Sequence, residues 1–260
     1  MSEHNELIIR SSDQLLQPTT RRRFLGLLGV AGSVVFLPSV FTACGSDDVT
    51  DPNNPANFTL NLSNDTGILN YAYALEQLEA AFYTAALTSA GFAALSAPEQ
   101  EVLADLQKHE VIHREFFKAV LGSSAIPTIA FNTTTVGSLT ANATVLLSTS
   151  QLLEDTGVSA YNGAGKYLTV AANLLAAGKI VSVEARHAAA IRDIRDARGS
   201  NTGRLFAGDD VVNTSGLDVK AEPGTVLASV VSLNVVTSPL SIGTGPTGTA
   251  TADMKAPTPA

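Results

Sequence analysis

Two short stretches carry the same two chemical groups at the same spacing. "KHEVIHREFF", Lys108 to Phe117, sets Glu110 and His113 three residues apart, and "VSVEARHAAA", Val181 to Ala190, repeats the interval with Glu184 and His187. Residues three apart share a helix face. Around each pair apolar residues recur at intervals of three and four: Leu103, Leu106, Phe117 and Val120 about the first, Leu174, Val181, Ile191 and Ile194 about the second. Both pairs are therefore expected on core-facing stripes. Two more stripes carry carboxylates: Leu69, Ala72, Glu76, Glu79, Tyr83 and Ala86, and then Leu147, Ser150, Glu154, Gly157 and Tyr161. In each, a glutamate precedes a tyrosine by seven residues. Buried carboxylates are costly unless paired or bound to a cation. Four of them on one core would repel one another, and two divalent metals remove the difficulty. Glu76 and Glu154 with Glu110-x-x-His113 and Glu184-x-x-His187 supply four carboxylates and two imidazoles, the donor set of a di-metal carboxylate site in a helix bundle. Oxygen and nitrogen donors suit two iron ions, with manganese as the alternative.

A single Glu-x-x-His on a helix is ordinarily a solvated pair, so the weight rests on the joint pattern. Beyond residue 44 the chain has three histidines, His109, His113 and His187, and two of them fall in the motif. His109 points off the stripe, toward the surface or the back of a ligand. Tyr83 and Tyr161 are either plain core residues or hydrogen-bond donors to a ligand carboxylate, since aromatic side chains lean toward the helix N-terminus. Glu79 has two readings: an extra, movable ligand, or a residue that bends to solvent or pairs with a cation. Its counterpart in the second half is Gly157.

The elements that would position these groups are four helices. The first is expected from about Thr66 to Ala90, entered through Asn64 or Asp65, and the second from Ser96 to Gly122, where "SAPE" offers a capping box with proline in the first turn. The third is expected from about Thr140 to Asn162, and the fourth from about Tyr167 to Ala197. Short connections make each pair antiparallel. "GAGK", Gly163 to Lys166, lacks the spacing and the preceding strand of a phosphate loop. Between second and third lies Ser123 to about Leu139, able to span about 50 Å when extended, against about 35 Å for a helix of this length. Two antiparallel hairpins joined by one long crossover give an all-α chain with the ferritin-like arrangement of a four-helix bundle.

The N-terminus reads as an export signal. Arg21 to Arg23 precede an apolar run from Phe24 to Phe41, which ends near the chain's one cysteine, Cys44. Thr20-Arg21-Arg22-Arg23-Phe24-Leu25 is similar to the twin-arginine export consensus, and Phe41-Thr42-Ala43-Cys44 resembles a lipobox with phenylalanine in place of leucine. Residues 1–44 are then a lipoprotein signal, with Cys44 lipidated and holding the protein to a membrane; a plain N-terminal transmembrane anchor is the other reading. The expected location is the periplasm, outer membrane or cell surface. Residues 45–63, rich in Asp, Asn and Pro, read as a tether, 64–198 as the bundle, and 199–260 as a low-charge extension, mostly irregular and partly disordered. Within it Val226 to Val236 is apolar enough for a short helix or strand, whereas the stretch from Ile242 onward reads as disordered. A net charge of -8 with no basic patch argues against a nucleic-acid partner.

"ILNYAYALEQLEAAFYTAAL", "KHEVIHREFFKAVLG", "LLEDTGVSAYNGAG" and "KIVSVEARHAAAIRDI" resemble the exported bacterial ferritin-like domain family that includes desiccation-related proteins. The resemblance covers about Asp65 to Arg198. It implies that Glu110 and Glu184 bridge two metals, with Glu76 and His113 terminal on one and Glu154 and His187 on the other. Similarity at the level of ligands extends to ferritin, bacterioferritin and rubrerythrin. A second cysteine is missing, so a rubredoxin-like electron-delivering centre is not expected, and the tail after Gly199 speaks against cage assembly while leaving a homodimer open. Three readings of function follow. The first is a di-iron oxidoreductase, ferroxidase- or peroxidase-like, that takes oxygen or peroxide. The second is a metal-binding stress-protective or structural envelope protein without turnover, and the third a bundle whose core site holds no metal.

Overall fold

The computed structural model describes residues 58–199, 206–237 and 240–245. The export signal, Cys44 and most of the expected tether lie outside the described residues. In chain order the elements are β1 (Phe58–Asn61), α1 (Asp65–Ala86), α2 (Ala90–Ala93), α3 (Ala97–Leu121), α4 (Thr133–Leu139), α5 (Ala143–Ala164), α6 (Ala171–Ala197), α7 (Pro223–Ser232) and β2 (Leu240–Thr244). Helices α1, α3, α5 and α6 form the bundle, with α1 packed on α3 and α5 on α6 as two hairpins.

Side-chain caps set most helix starts. Asn64 accepts the Gly67 N–H at 2.9 Å, Asn142 accepts the Val145 N–H at 3.0 Å, and Glu99 accepts both the N–H and the hydroxyl of Ser96, each at 2.7 Å. Three boundaries differ from the sequence expectation. The first helix stops at Ala86, because Ser89 caps a separate turn by accepting the Phe92 N–H. The third starts at Ala143 rather than Thr140, because the cap is Asn142. The fourth starts at Ala171 rather than Tyr167, because its cap comes from another helix. The Asp65 carboxylate of α1 accepts the N–H groups of Thr169 and Val170 at 2.9 and 3.0 Å, and an amide hydrogen of Asn173 at 2.9 Å. Leu174, expected on the core stripe, is instead exposed on the first turn of α6, and the buried stripe begins at Ala177 and Ile180.

The crossover runs against α1 and is held by two rungs seven residues apart on that helix. Asn70 donates to the Ser124 carbonyl and accepts the Ile126 N–H, and Gln77 accepts the Ile129 N–H at 2.8 Å. Both amides are buried, so these bonds satisfy groups that would otherwise be costly to bury. Asn132 then caps the short helix α4 within the crossover.

The C-terminal extension packs on the bundle. Fully buried Arg192 donates to Asp155 of α5 and to Asp210 of the extension, and the Ala221 N–H donates to the Ser159 carbonyl at 2.9 Å. A Cβ at position 163 would lie 1.8 Å from the Ala221 carbonyl oxygen, so only glycine permits this approach. The apolar stretch beginning at Val226 forms most of α7 and buries Val226, Leu227 and Val230. Two expectations are corrected beyond it. Ile242 to Thr244 are not disordered but belong to β2, and Phe58–Asn61, expected to be tether, form β1, which pairs with β2 in parallel from Phe58 opposite Leu240. Leu60 and Leu62 are buried in consequence. Among the described residues no helix is long and apolar enough to cross a membrane.

Candidate metal centre

Each bundle helix sends acidic or basic side chains inward at one level. Glu76, Glu110, Glu154 and Glu184 have no solvent exposure, and His113, His187 and Glu79 are buried beside them. Two groups of four result: Glu76, Glu110, His113 and Glu184, and Glu110, Glu154, Glu184 and His187. Within each group one potential ligand atom per residue lies within 4.8 Å of the others. Glu110 and Glu184 belong to both. All six ligands expected from the sequence are therefore brought together.

The donor atoms converge, but apart from a 3.3 Å hydrogen bond between His113 Nδ1 and Glu110 Oε2 they do not satisfy one another. His113 Nδ1 is 3.3 Å from both Glu76 and Glu110 and 3.1 Å from Glu184, while His187 Nδ1 is 2.8 Å from Glu110 and 3.3 Å from Glu154. Yet Glu76 Oε2, Glu110 Oε1, Glu154 Oε2, both Glu184 oxygens and His187 Nδ1 have no hydrogen-bond partner. Close approach without hydrogen-bond alignment is how lone pairs aimed at a shared cation are disposed. Buried polar atoms in this number are rare unless something else binds them. The residues fit a pair of metal ions with oxygen and imidazole ligands.

Electrostatics give the same reading. Burial, opposed by contacts with His113, pushes Glu76 up to about 7. Burial first, and then the neighbouring carboxylates, push Glu79 and Glu184 well above the ordinary carboxylate range, and burial also raises Glu154. For Glu110 burial is outweighed by His113 and His187, which hold it down to about 2. Burial likewise opposes charge on the imidazoles, but the carboxylates win and raise His113 to about 12 and His187 to about 10. Without metal the cluster holds protons in place of cations.

The tyrosines donate, but crosswise. Tyr83 of the first hairpin donates to Glu154 Oε1 of the second at 2.6 Å, and Tyr161 of the second donates to Glu76 Oε1 of the first. Each tyrosine thus serves the glutamate of the other helix of the α1–α5 pair. Glu79 takes neither solvent nor a cation: it is buried, its Oε2 has no partner, and it belongs to neither group of four. Gly157 makes its room. A Cβ there would stand 3.3 Å from Glu79 Oε1 and 3.1 Å from Glu184 Oε2.

His109 is exposed at its edge, yet its Nδ1 lies 2.8 Å from His187 Nε2, a contact that the stripe pattern alone did not reveal. The usable signal is the spacing of four between His109 and His113, which puts both toward α6. An open groove of about 300 Å³ between α3 and α6 has both ligand histidines on its floor, with Leu106, His109, Ile112 and Arg186 among its walls. The Arg192 link to Asp155 and Asp210 was also not foreseen, because Asp210 stands in the irregular extension.

A family model for the ferritin-like domain matches residues 64–197, more than half of the chain. No curated protein was found to be similar to the chain. With a four-helix bundle of two hairpins, a long crossover and a shared Glu/His cluster at its centre, the chain belongs to the ferritin-like domain family.

Proposed function

We propose that this is a di-metal carboxylate protein of the cell envelope, with iron the favoured metal and manganese the alternative, that reacts with oxygen or peroxide or otherwise handles iron. The observation that carries the reading is the pair of four-residue groups sharing Glu110 and Glu184. In this reading Glu110 and Glu184, which belong to both groups, would help to hold both ions, while Glu76 and His113 would complete one position and Glu154 and His187 the other. Two ferrous ions would supply the two electrons that reduce one peroxide, with two protons, to two waters. The chain's own residues do the rest. The four carboxylates balance the cationic charge in a buried setting, and loading displaces protons from His113, His187 and the raised glutamates. Tyr83 and Tyr161 fix the orientation of Glu154 and Glu76 through their hydroxyls. The apolar core limits water, and the groove over the two histidines admits a small oxidant.

Export, and lipid attachment at Cys44, are part of the same proposal and rest on Arg21 to Arg23, the apolar run and the lipobox-like Phe41 to Cys44. Metal analysis of protein purified from its own envelope, followed by anaerobic Fe(II) loading and addition of peroxide or oxygen, tests the reading. About two metals per chain with repeated oxidant consumption is the expected result. Metal without turnover would favour a stress-protective or structural role. Equal metal content in wild type and in a variant lacking all six ligands would overturn the site.

A further inference from the structure

The two ligand histidines are not held alike. Both aim Nδ1 at the carboxylates. Behind His187, Nε2 meets Nδ1 of His109 at 2.8 Å. The two rings are inclined by only 7° with centroids 5.1 Å apart. That separation is the sum of the N···N contact and the two centre-to-nitrogen radii, so the rings lie edge to edge in nearly one plane, aligned for an N–H···N hydrogen bond. Behind His113 no such partner exists among the described residues. The internal duplication shows why: aligning Glu110 with Glu184 puts His109 opposite Val183, whose side chain cannot accept a hydrogen bond.

The tautomers follow. If His187 offers its Nδ1 lone pair to a metal, its proton sits on Nε2, and His109 must accept that proton's hydrogen bond at Nδ1 and carry its own on Nε2, toward the groove.

Resting on the di-metal reading above, we propose that His109 is a positioning residue for His187: it fixes the tautomer and ring plane of that ligand, and so makes the metal position on the Glu154–His187 side bind more tightly than the one on the Glu76–His113 side. The partner of a ligating imidazole commonly changes metal affinity by about 10- to 100-fold. Among the described residues nothing equivalent supports His113.

Anaerobic calorimetric titration of the apoprotein with Co(II), followed also by its visible absorption, tests the assignment. Wild type should show two binding steps of unequal affinity. In His109→Leu the tighter step should weaken about 10-fold or more, with the weaker step and the apoprotein Tm little changed. His109→Gln, whose amide oxygen can accept the same hydrogen bond, should keep most of the tight step. If His109→Leu leaves both steps unchanged, or weakens both equally, the positioning role is overturned while the di-metal reading stands. If wild type binds no metal, the di-metal reading fails and this inference with it.

Discussion

The two halves of the duplicated bundle agree in the groups that neutralise the cluster and differ in the groups behind them. Glu76, Glu110 and His113 have counterparts in Glu154, Glu184 and His187, and even the tyrosines are exchanged symmetrically, each hydroxyl crossing to the other half. His109, however, faces Val183 in the alignment, and Glu79 faces Gly157. The first half therefore supplies both unmatched polar groups, and both act on the second: His109 on His187, Glu79 toward Gly157 and Glu184. A shared ligand set makes two metals possible, and the unmatched residues make the two positions different.

The largest test of this comparison removes ligands by their place in the two groups. Glu110 serves both, so Glu110→Ala should reduce bound metal from about two per chain to nearly none. Glu76 and Glu154 each serve one, so Glu76→Ala or Glu154→Ala should leave about one. Elemental analysis of equally folded samples decides. Equal losses from all three variants would mean that the two groups fill as one cooperative unit, and the half-by-half description would be wrong.

Much of this arrangement is legible in the sequence, and the illegible parts share a cause. Spacings of three, four and seven are local, so the stripes carrying Glu76, Glu110, Glu154 and Glu184 and the caps at Asn64 and Ser96 can be read directly. The start of α6 cannot, because its cap is Asp65, about a hundred residues earlier in the chain. Nor can the crossing of Tyr83 and Tyr161, which depends on how one hairpin faces the other. The extension has little periodicity of its own. Its place is set by Arg192 meeting Asp210, by Gly163 admitting Ala221 and by β2 pairing with a strand some 180 residues away. Periodicity reports which face is buried, not what lies across from it.

A second test uses protons as the competitor for metal. In the metal-free protein Glu76 titrates near 7 against an ordinary 4.5, Glu79, Glu154 and Glu184 shift the same way, and His113 and His187 are held near 12 and 10 against 6.5. For each of these the folded chain binds more protons than the unfolded chain between the two values. The glutamate contribution falls as pH rises above 4.5, and the histidine contribution is complete below 6.5 and falls above it. Glu110 has the opposite sign, with its contribution lost only as pH drops toward 2. Each net retained proton costs about 1.4 kcal/mol per pH unit. Apoprotein Tm should therefore drop from pH 5 to pH 8 by about 5 °C or more, while the Tm gain on adding metal should grow over the same range. A flat apoprotein profile would show that the cluster relaxes apart when empty.

The smallest effect concerns Glu79 and Gly157, where the halves differ by one carboxylate. Glycine inside a helix costs about 1 kcal/mol relative to alanine, so Gly157→Ala should gain stability unless the space is in use. It is in use: the added Cβ would press on Glu184 Oε2 and Glu79 Oε1, and each would have to give by a few tenths of an ångström. Glu79→Gln keeps the shape of the side chain and removes a carboxyl whose ionisation is opposed by burial and by four other carboxylates. Because burial and then the neighbouring carboxylates raise Glu79 above 4.5, the stability of the apoprotein variant relative to wild type should grow as pH rises above 4.5. Metal content should stay near wild type, because Glu79 belongs to neither group of four. Stopped-flow oxidation of the Fe(II)-loaded protein then separates the two roles left to this side chain. If Glu79 moves onto the centre as its charge rises, Glu79→Gln should slow oxidation several-fold, and Gly157→Ala, by narrowing the space for that movement, should slow it in the same direction. If neither variant alters the rate, Glu79 is a buried acid that only packs against Gly157, and the asymmetry between the halves rests on His109 alone.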